Sequence, residues 1–306
     1  MYRARSAMCV VIFVMAVAAL VLFPMFLEAG LNGNEYPNGV EGIKAASLPP
    51  PGVYLRTYAF WYNSDDLKGP DSNTLPIDLE VDVLALAPRL IWVTNKKVLG
   101  GNLAFDVMVP IINTDMGIGA LGFDKSTTGI GDIYFSPIIL GWHGPRWDAA
   151  AGLSFFAPTG SWDETDPTKA GKNFWTTMLT GGFTSYLDEN KSWSFSMLGR
   201  YEFHGENKDI NVDLGDDFHF EWGLGKALKP GLEIGLAGYF QWQMTEDSGS
   251  DVVWNTTKDR VYAVGPELAL AFPKSMVFLS FRALIEFSAR DRTEGSMFVV
   301  TLTKRF

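Results

Sequence analysis

Residues 192–203 read SWSFSMLGRYEF, residues 218–224 read FHFEWGL, and residues 232–243 read LEIGLAGYFQWQ. Apolar and polar side chains alternate in each run: Trp193, Phe195, Met197, Tyr201 and Phe203 share one parity, while Ser194, Ser196, Arg200 and Glu202 share the other. Side chains at i and i+2 lie on one face of a strand, so each run has one greasy and one wet face. The greasy faces carry aromatics toward their ends, as interfacial girdles do. The runs also approach the roughly ten residues that a tilted strand needs to cross a bilayer, against about five or six for an ordinary strand. A soluble sandwich shares the alternation but lacks a reason for the length and the girdles. The expected fold class is therefore all-β, a transmembrane antiparallel β-barrel of about 12 strands.

Composition agrees with a barrel that forms a single unit of 306 residues. Ten Trp beside three His and one Cys suit an outer-membrane barrel better than a metal or redox enzyme. A formal charge of -10 argues against nucleic acid as a partner, since that calls for a basic patch.

Arg3 and Arg5 precede an apolar run from Met8 to Leu27, and Leu27-Glu28-Ala29 resembles a cleavage site. Residues 1–29 are thus expected to be a secretory signal peptide. A retained inner-membrane anchor is the alternative, because the run exceeds the usual length of such a region; Pro24 and the lack of a second comparable run favour cleavage. Cys9 falls inside the leader, so the mature chain would contain no disulfide. Residues 30–51 show no periodicity and end in Pro49, Pro50 and Pro51, which remove ladder donors. They are expected to form a periplasmic lead-in, plug or gate ahead of a barrel spanning 52–306.

From Gly52 onward the pattern predicts strands near 52–63, 79–94, 101–112, 130–143, 146–158, 173–187, 192–204, 217–228, 231–244, 260–272, 275–287 and 295–306. Short connections at 95–99, 144–145, 188–191, 229–230 and 273–274 alternate with longer polar ones at 64–78, 113–128, 159–172, 205–216, 245–259 and 288–294. Membrane barrels alternate short periplasmic turns with longer outer loops, which puts both barrel termini on the periplasmic side. Phe306, on one parity with Phe298, Val300 and Leu302, resembles the terminal aromatic read by the barrel assembly machinery; Lys304 departs from that pattern.

Strand parity directs Arg56, Asp82, Asp106, Asp132, Tyr134, Ser136, Arg200, Glu202, Glu221, Glu233, Tyr239, Gln241, Glu267, Arg282 and Glu286 into the lumen, with a bulge near Pro88 and Arg89 able to flip the phase. Charges on the lipid face would be costly, so their inward direction needs no function. They either form a fixed network that fills a small barrel or line a permeation path.

Enzymatic chemistry finds little support. The twelve-stranded outer-membrane phospholipase needs a serine activated by histidine, and the candidates are confined to His143, His204 and His219. The loop from Asp209 through Asn211, Asp213 and Gly215 to Asp217 resembles the start of a calcium loop, but its glycine comes one place late and no Glu closes it. A solvated acidic loop accounts for it, and no metal or cofactor is expected. Gly129-Ile130-Gly131-Asp132 precedes no helix and is no nucleotide motif.

The stretch from Glu35 to Tyr54, EYPNGVEGIKAASLPPPGVY, resembles the start of the outer-membrane family labelled "meta-pathway of phenol degradation", and TGIGDIYFSP at 128–137 resembles its central strand. With Phe306, the similarity extends over the whole mature chain. It implies a barrel related to the fatty-acid and aromatic-hydrocarbon channels, passively admitting small hydrophobic or aromatic solutes across the outer membrane of a Gram-negative cell. The expected partners are outer-membrane lipid and lipopolysaccharide, the assembly machinery and those solutes, with the chain a monomer. The alternative is a non-transporting barrel whose acidic outer loops, with Asp65, Asp66, Asp163, Glu164, Asp166, Glu246 and Asp247, bind partners or lipopolysaccharide.

Overall fold

A computed structural model describes residues 34–207, 209–250 and 258–306; the expected signal peptide lies outside these residues. Twelve long strands follow one another. They are β1 (Gly52–Lys68), β2 (Leu79–Val98), β3 in two runs (Gly101–Met108 and Ile111–Ile118), β4 in two runs (Phe123–Ile130 and Ile133–His143), β5 (Trp147–Ala157) and β6 (Thr176–Tyr186). The second half comprises β7 (Trp193–His204), β8 (Asp217–Lys229), β9 (Leu232–Gln243), β10 (Arg260–Phe272), β11 (Val277–Arg290) and β12 (Arg292–Arg305). Each pairs antiparallel with its neighbours in sequence, and β1 also pairs with β12, so the sheet closes on itself. Closure removes the unpaired edges that would otherwise be exposed in lipid.

The greasy faces point outward. Leu84, Leu86, Leu90, Ile138, Leu179, Leu236 and Ile285 are exposed along the barrel, with Trp61, Trp175 and Phe203 toward the end with the long connections and Trp92, Trp147 and Trp193 toward the end with tight turns. On β8 to β11 the rings of Phe218, Phe220, Phe240, Trp242, Tyr262 and Phe287 form a continuous patch, each pair of neighbours 5.0–6.3 Å apart. An apolar band with aromatic belts matches hydrocarbon and interface in turn. Among the described residues no helix is long and apolar enough to cross a membrane.

Three expectations need correction. The connection expected at 113–128 is instead a hairpin: the outer runs of β3 and β4 pair from Ile111↔Ile130 to Ile118↔Phe123 and carry the sheet beyond the neighbouring β5. The connection expected at 288–294 is a tight turn, because Ser288 and Asp291 take left-handed φ of 58° and let the strands run to Arg290 and from Arg292. Asp82 faces outward and is exposed near the long-connection end, where Trp61 Nε1 and Asn63 Nδ2 donate to it. The β1–β2 register runs unbroken from Gly52↔Val93 to Ser64↔Val81, so no bulge flips the phase at Pro88, and strict alternation turns Arg89 inward with Ala87 and Ile91.

The ladder is interrupted at one level. Pairing between β3 and β4 stops at Met108↔Tyr134 and resumes at Ile111↔Ile130. Pro110 lacks the donor that would continue it, and Asp132 leaves the ladder to accept from the loop amides of Gly160 and Lys172 at 2.7 and 2.8 Å.

Candidate functional site

Residues 34–51 lie inside the barrel. They advance by turns, with Gly39 at φ 79° and Lys44 at φ 63°, and among the described residues enter no β-ladder. The wall makes room for them with small residues: a Cβ at Gly223 would come within 2.8 Å of the Gly42 carbonyl and of Ile43, and one at Gly235 within 2.9 Å of Ile43 Cδ1 were it not already blocked by the adjoining strand.

Three wall carboxylates meet the segment's main chain. Glu202 on β7 accepts the N–H groups of Glu35 and Tyr36 at 2.5 and 3.1 Å. Glu221 on β8 accepts that of Glu41 at 2.7 Å, and Glu267 on β10 that of Ile43 at 2.8 Å. Ser196 accepts from Lys44 N at 3.1 Å, and Arg282 Nη1 donates to the Gly39 carbonyl at 2.6 Å. Each carboxylate is oriented by a basic wall neighbour: His219 Nε2 lies 2.9 Å from Glu202, Arg200 Nη1 2.8 Å from Glu221, and Arg282 Nη2 2.8 Å from Glu267. All these wall groups are buried, which makes charge-assisted hydrogen bonds strong and an unpaired group expensive.

Several side chains of the segment are engaged as closely, among them Lys44, whose ammonium lies 2.6 Å from Glu233, and Ser47, whose hydroxyl donates to Asp148 at 2.7 Å. Glu41 lies 2.8 Å from Arg56 Nη2 and 3.4 Å from Arg89 Nη1, and accepts from Tyr58 Oη at 2.7 Å. Burial alone would raise its carboxyl, but Arg56, Arg89 and Arg200 with the Tyr58 hydroxyl override that and hold it at about 2. The ring of Tyr36 lies under the Arg200 guanidinium at 4.1 Å, and Arg89 donates to its hydroxyl at 3.0 Å. Burial pushes the Glu35 carboxyl up to about 7, with Lys172 opposing and Asp132 adding to the rise.

Further charges bind wall to wall. Arg89 Nε donates to Asp106 at 2.7 Å. Glu286 accepts from the hydroxyls of Tyr62 and Tyr239 and from Gly295 N, while Gln241 bridges Asp217, Asp259 and Arg292. Arg56, Asp106, Arg200, Glu202, Glu221, Glu233, Tyr239, Gln241, Glu267, Arg282 and Glu286 thus all face the interior within one connected filling, whereas Asp132 acts as a loop clamp. Tyr134 and Ser136 hydrogen-bond to each other and to Ser154. Pro50 and Pro51 offer their carbonyls to Tyr54 and Arg305 at 2.6 and 2.9 Å, fixing the point where the segment joins β1. Phe306 is exposed, its N–H bonded to the Val53 carbonyl.

Sequence reasoning missed Arg89, Glu41, Tyr36 and Tyr58. Unbroken parity through Pro88 would have found Arg89; residues 34–51 have no periodicity from which Glu41 could be read.

Three cavities flank the segment; the smallest, about 90 Å³, lies between residues 45–49 and the wall and shares Tyr36 with the first and Arg56 with the second of the two described next. One of about 180 Å³ is lined by Tyr36, Pro37, Val40, Tyr58, Phe60, Val83, Ala85, Met108, Ile112 and Phe156, with Glu35, Asp132 and Lys172 among its polar groups, and it reaches the ladder interruption at Pro110. The other, about 630 Å³, opens toward the tight-turn end between Gly42, Ile43 and Lys44 and the wall residues Arg56, Glu233, Arg282, Thr301 and Thr303. No residue lines both.

Thr176 Oγ1, His204 Nδ1 and Nε2, and Asp217 form a hydroxyl–imidazole–carboxylate chain with contacts of 2.9 and 3.1 Å. Thr176 is completely buried, so that hydroxyl cannot reach a substrate carbonyl. The Asp209–Asp217 loop directs Asp209 to Asn173 and Asp217 to His204 and Gln241 rather than toward one centre. Among the described residues no group of three His, Cys, Asp or Glu is arranged to hold a metal ion.

Comparison with known proteins adds the following. A family model described as "Putative MetA-pathway of phenol degradation" matches residues 64–302. The crystal structure of an outer membrane channel from Pseudomonas putida F1 superposes with a TM-score of 0.76 at 14% identity, covering 89% of this chain and all of that one. That likeness shows a shared barrel fold. The beta domain of the Bordetella autotransporter Brka aligns with a TM-score of 0.47 at 12% identity over 83% of this chain and 99% of that one. No curated protein matches the chain.

Proposed function

The chain belongs to the family of the MetA-pathway of phenol degradation, and on that premise we propose that it is an outer-membrane channel for passive entry of small hydrophobic or aromatic compounds. Residues 34–51 act as its plug. The observation that carries this reading is the cavity of about 180 Å³ between plug and wall: its lining is aromatic and aliphatic, with a few polar groups at the edge, the usual make-up of a site for a small apolar ligand. A route for ions or sugars has less support, because the charges inside are paired with one another rather than left facing water.

In this role the tight-turn end faces the periplasm and the long connections face outside. The chain works as a monomer, delivered by the assembly machinery through a signal ending at Phe306 and seated among lipid and lipopolysaccharide. A purely adhesive barrel is less well supported, since two of the loop acids that suggest it are engaged internally: Asp166 pairs with Lys125 at 2.7 Å, and Asp247 accepts from Gly215 N and Gln243 at 2.7 Å.

The test is solute-dependent swelling of liposomes carrying the purified protein, together with growth on dilute aromatic carbon sources with and without it. Equal growth across a broad panel would count against aromatic uptake. Deleting residues 33–47 should raise single-channel conductance; unchanged conductance would remove the plug as a gate.

A further inference from the structure

The wall holds the segment's main chain as well as its side chains. The amides of Glu35, Tyr36, Glu41, Ile43 and Lys44 and the carbonyl of Gly39 are taken by Glu202, Glu221, Glu267, Ser196 and Arg282. Main-chain groups are common to every peptide, so this part of the hold carries no side-chain identity. The receiving carboxylates are oriented from within the wall by His219, Arg200 and Arg282, so the receptor geometry does not depend on the segment being present. The segment contributes no strand to the sheet, and its covalent joint at Pro50 and Pro51 is pinned separately by Tyr54 and Arg305. Residues 34–48 can therefore leave or return without disturbing a single ladder.

We propose that the barrel interior is a binding site for polypeptide, reading main-chain N–H groups through Glu202, Glu221 and Glu267, and that residues 34–48 are its tethered and exchangeable ligand. This rests on the reading of the segment as a plug. The ligand class follows from the remaining contacts. An aromatic side chain is wanted at position 36 to lie under Arg200, and an acid at position 41 for Arg56 and Arg89. Glycine is required at position 39, where φ is 79°, and at position 42, where a Cβ would run into Glu267 and Arg282. The peptide recognised has the form Tyr-x-Asn-Gly-Val-Glu-Gly, since Asn38 is buried and Val40 is buried in a cluster with Tyr36, Tyr58 and Met108, and only position 37 is open to other side chains.

The experiment starts from the full mature chain with a site-specific protease sequence inserted after Leu48, so that the barrel folds with the segment in place and is then cut in detergent. A labelled synthetic peptide covering residues 34–48 is titrated onto the cut and washed barrel by fluorescence anisotropy, with planar-bilayer conductance read in parallel. Binding with return of the closed level is expected. N-methylation at Glu41 and Ile43 removes two amide donors and leaves every side chain, and should weaken binding about tenfold or more. The wall variant Glu221→Gln should also weaken it, whereas alanine at the half-buried position 37 should change it by less than about threefold.

A methylated peptide that binds as tightly as the native one overturns main-chain reading. A cut segment that never dissociates, or a barrel that loses its folded electrophoretic mobility when the segment leaves, overturns exchange. Conductance that rises on cutting while added peptide fails to bind sinks this inference and leaves the gate intact. Peptide binding without any conductance change does the reverse.

Discussion

The Glu41 carboxylate sits 2.8 Å from Arg56 Nη2, which ties an acidic side chain of the plug to the first strand of the barrel that follows it. The pair is largely buried, with Tyr58 and Arg89 closing the other sides. The plug thus runs through the lumen of its own barrel, from its joint at Pro50 and Pro51 at the tight-turn end to Glu35 beside Lys172 of a long connection.

Replacing Glu41 by Gln keeps the shape and removes the charge. Loss of one partner of a buried pair costs on the order of 3 kcal/mol, which corresponds to more than a hundredfold in the docked population. Trypsin should then cut after Lys44 in the folded barrel far faster than in the parent, as read by mass spectrometry. Equal cutting rates would show that the pair does not hold the plug.

Glu35 gives docking a pH dependence. Its carboxyl, ordinarily near 4.5, is raised to about 7 by burial when docked, so the docked state favours the proton. Its contribution is complete below about 4.5 and is lost as pH rises through about 7. Opening should be more frequent at pH 8 than at pH 6, and Glu35→Gln should flatten the difference. Glu41, held at about 2, works in the opposite sense only below about 4.5, outside that window. Opening that increases toward acid between pH 8 and pH 6 would contradict this assignment.

Gly39→Ala should dislodge the plug. The backbone there has φ 79°, and a Cβ would stand 2.7 Å from Leu284 Cδ1 and Met297 Sδ. Backbone strain of about 1 kcal/mol adds to overpacking of about 1–3 kcal/mol. Trypsin cutting at Lys44 reports the change, and full protection of the variant would rule it out.

Ala85→Trp should fill the cavity between plug and wall, because Ala85 lines it on the inward parity of β2. Uptake of small aromatics should fall at least severalfold, while the folded mobility of the barrel stays as in the parent. Uptake at the parental rate would take the cavity off the route.

Leu236→Arg places a charge on the outer face near the middle of β9, where the leucine is now exposed. At the depth of the bilayer centre this costs about 2–4 kcal/mol, measurable as a lower urea midpoint in lipid vesicles. An unchanged midpoint would mean that this face does not meet hydrocarbon.

Strand number, closure and, outside β2 with its outward Asp82 and inward Arg89, facing were legible in the sequence because each depends on local alternation that lipid enforces. Trp193, Phe195 and Met197 must share a face whatever lies across the barrel, and Arg200 and Glu202 must take the other. The plug's contacts were not legible. Glu41 meets Glu221 across 180 positions and Glu267 meets Ile43 across 224, and no periodicity links an irregular segment to the strands that receive it. Parity set the inward direction of the charges; only closure of the sheet, which brings β1, β2, β7, β8, β10 and β11 around one short segment, decided which charge meets which and left an apolar space beside them. Hydrocarbon selects a pattern along the chain, whereas hydrogen-bond and ion-pair geometry at 2.5–3.5 Å selects positions in space, and those exist only once the barrel is closed.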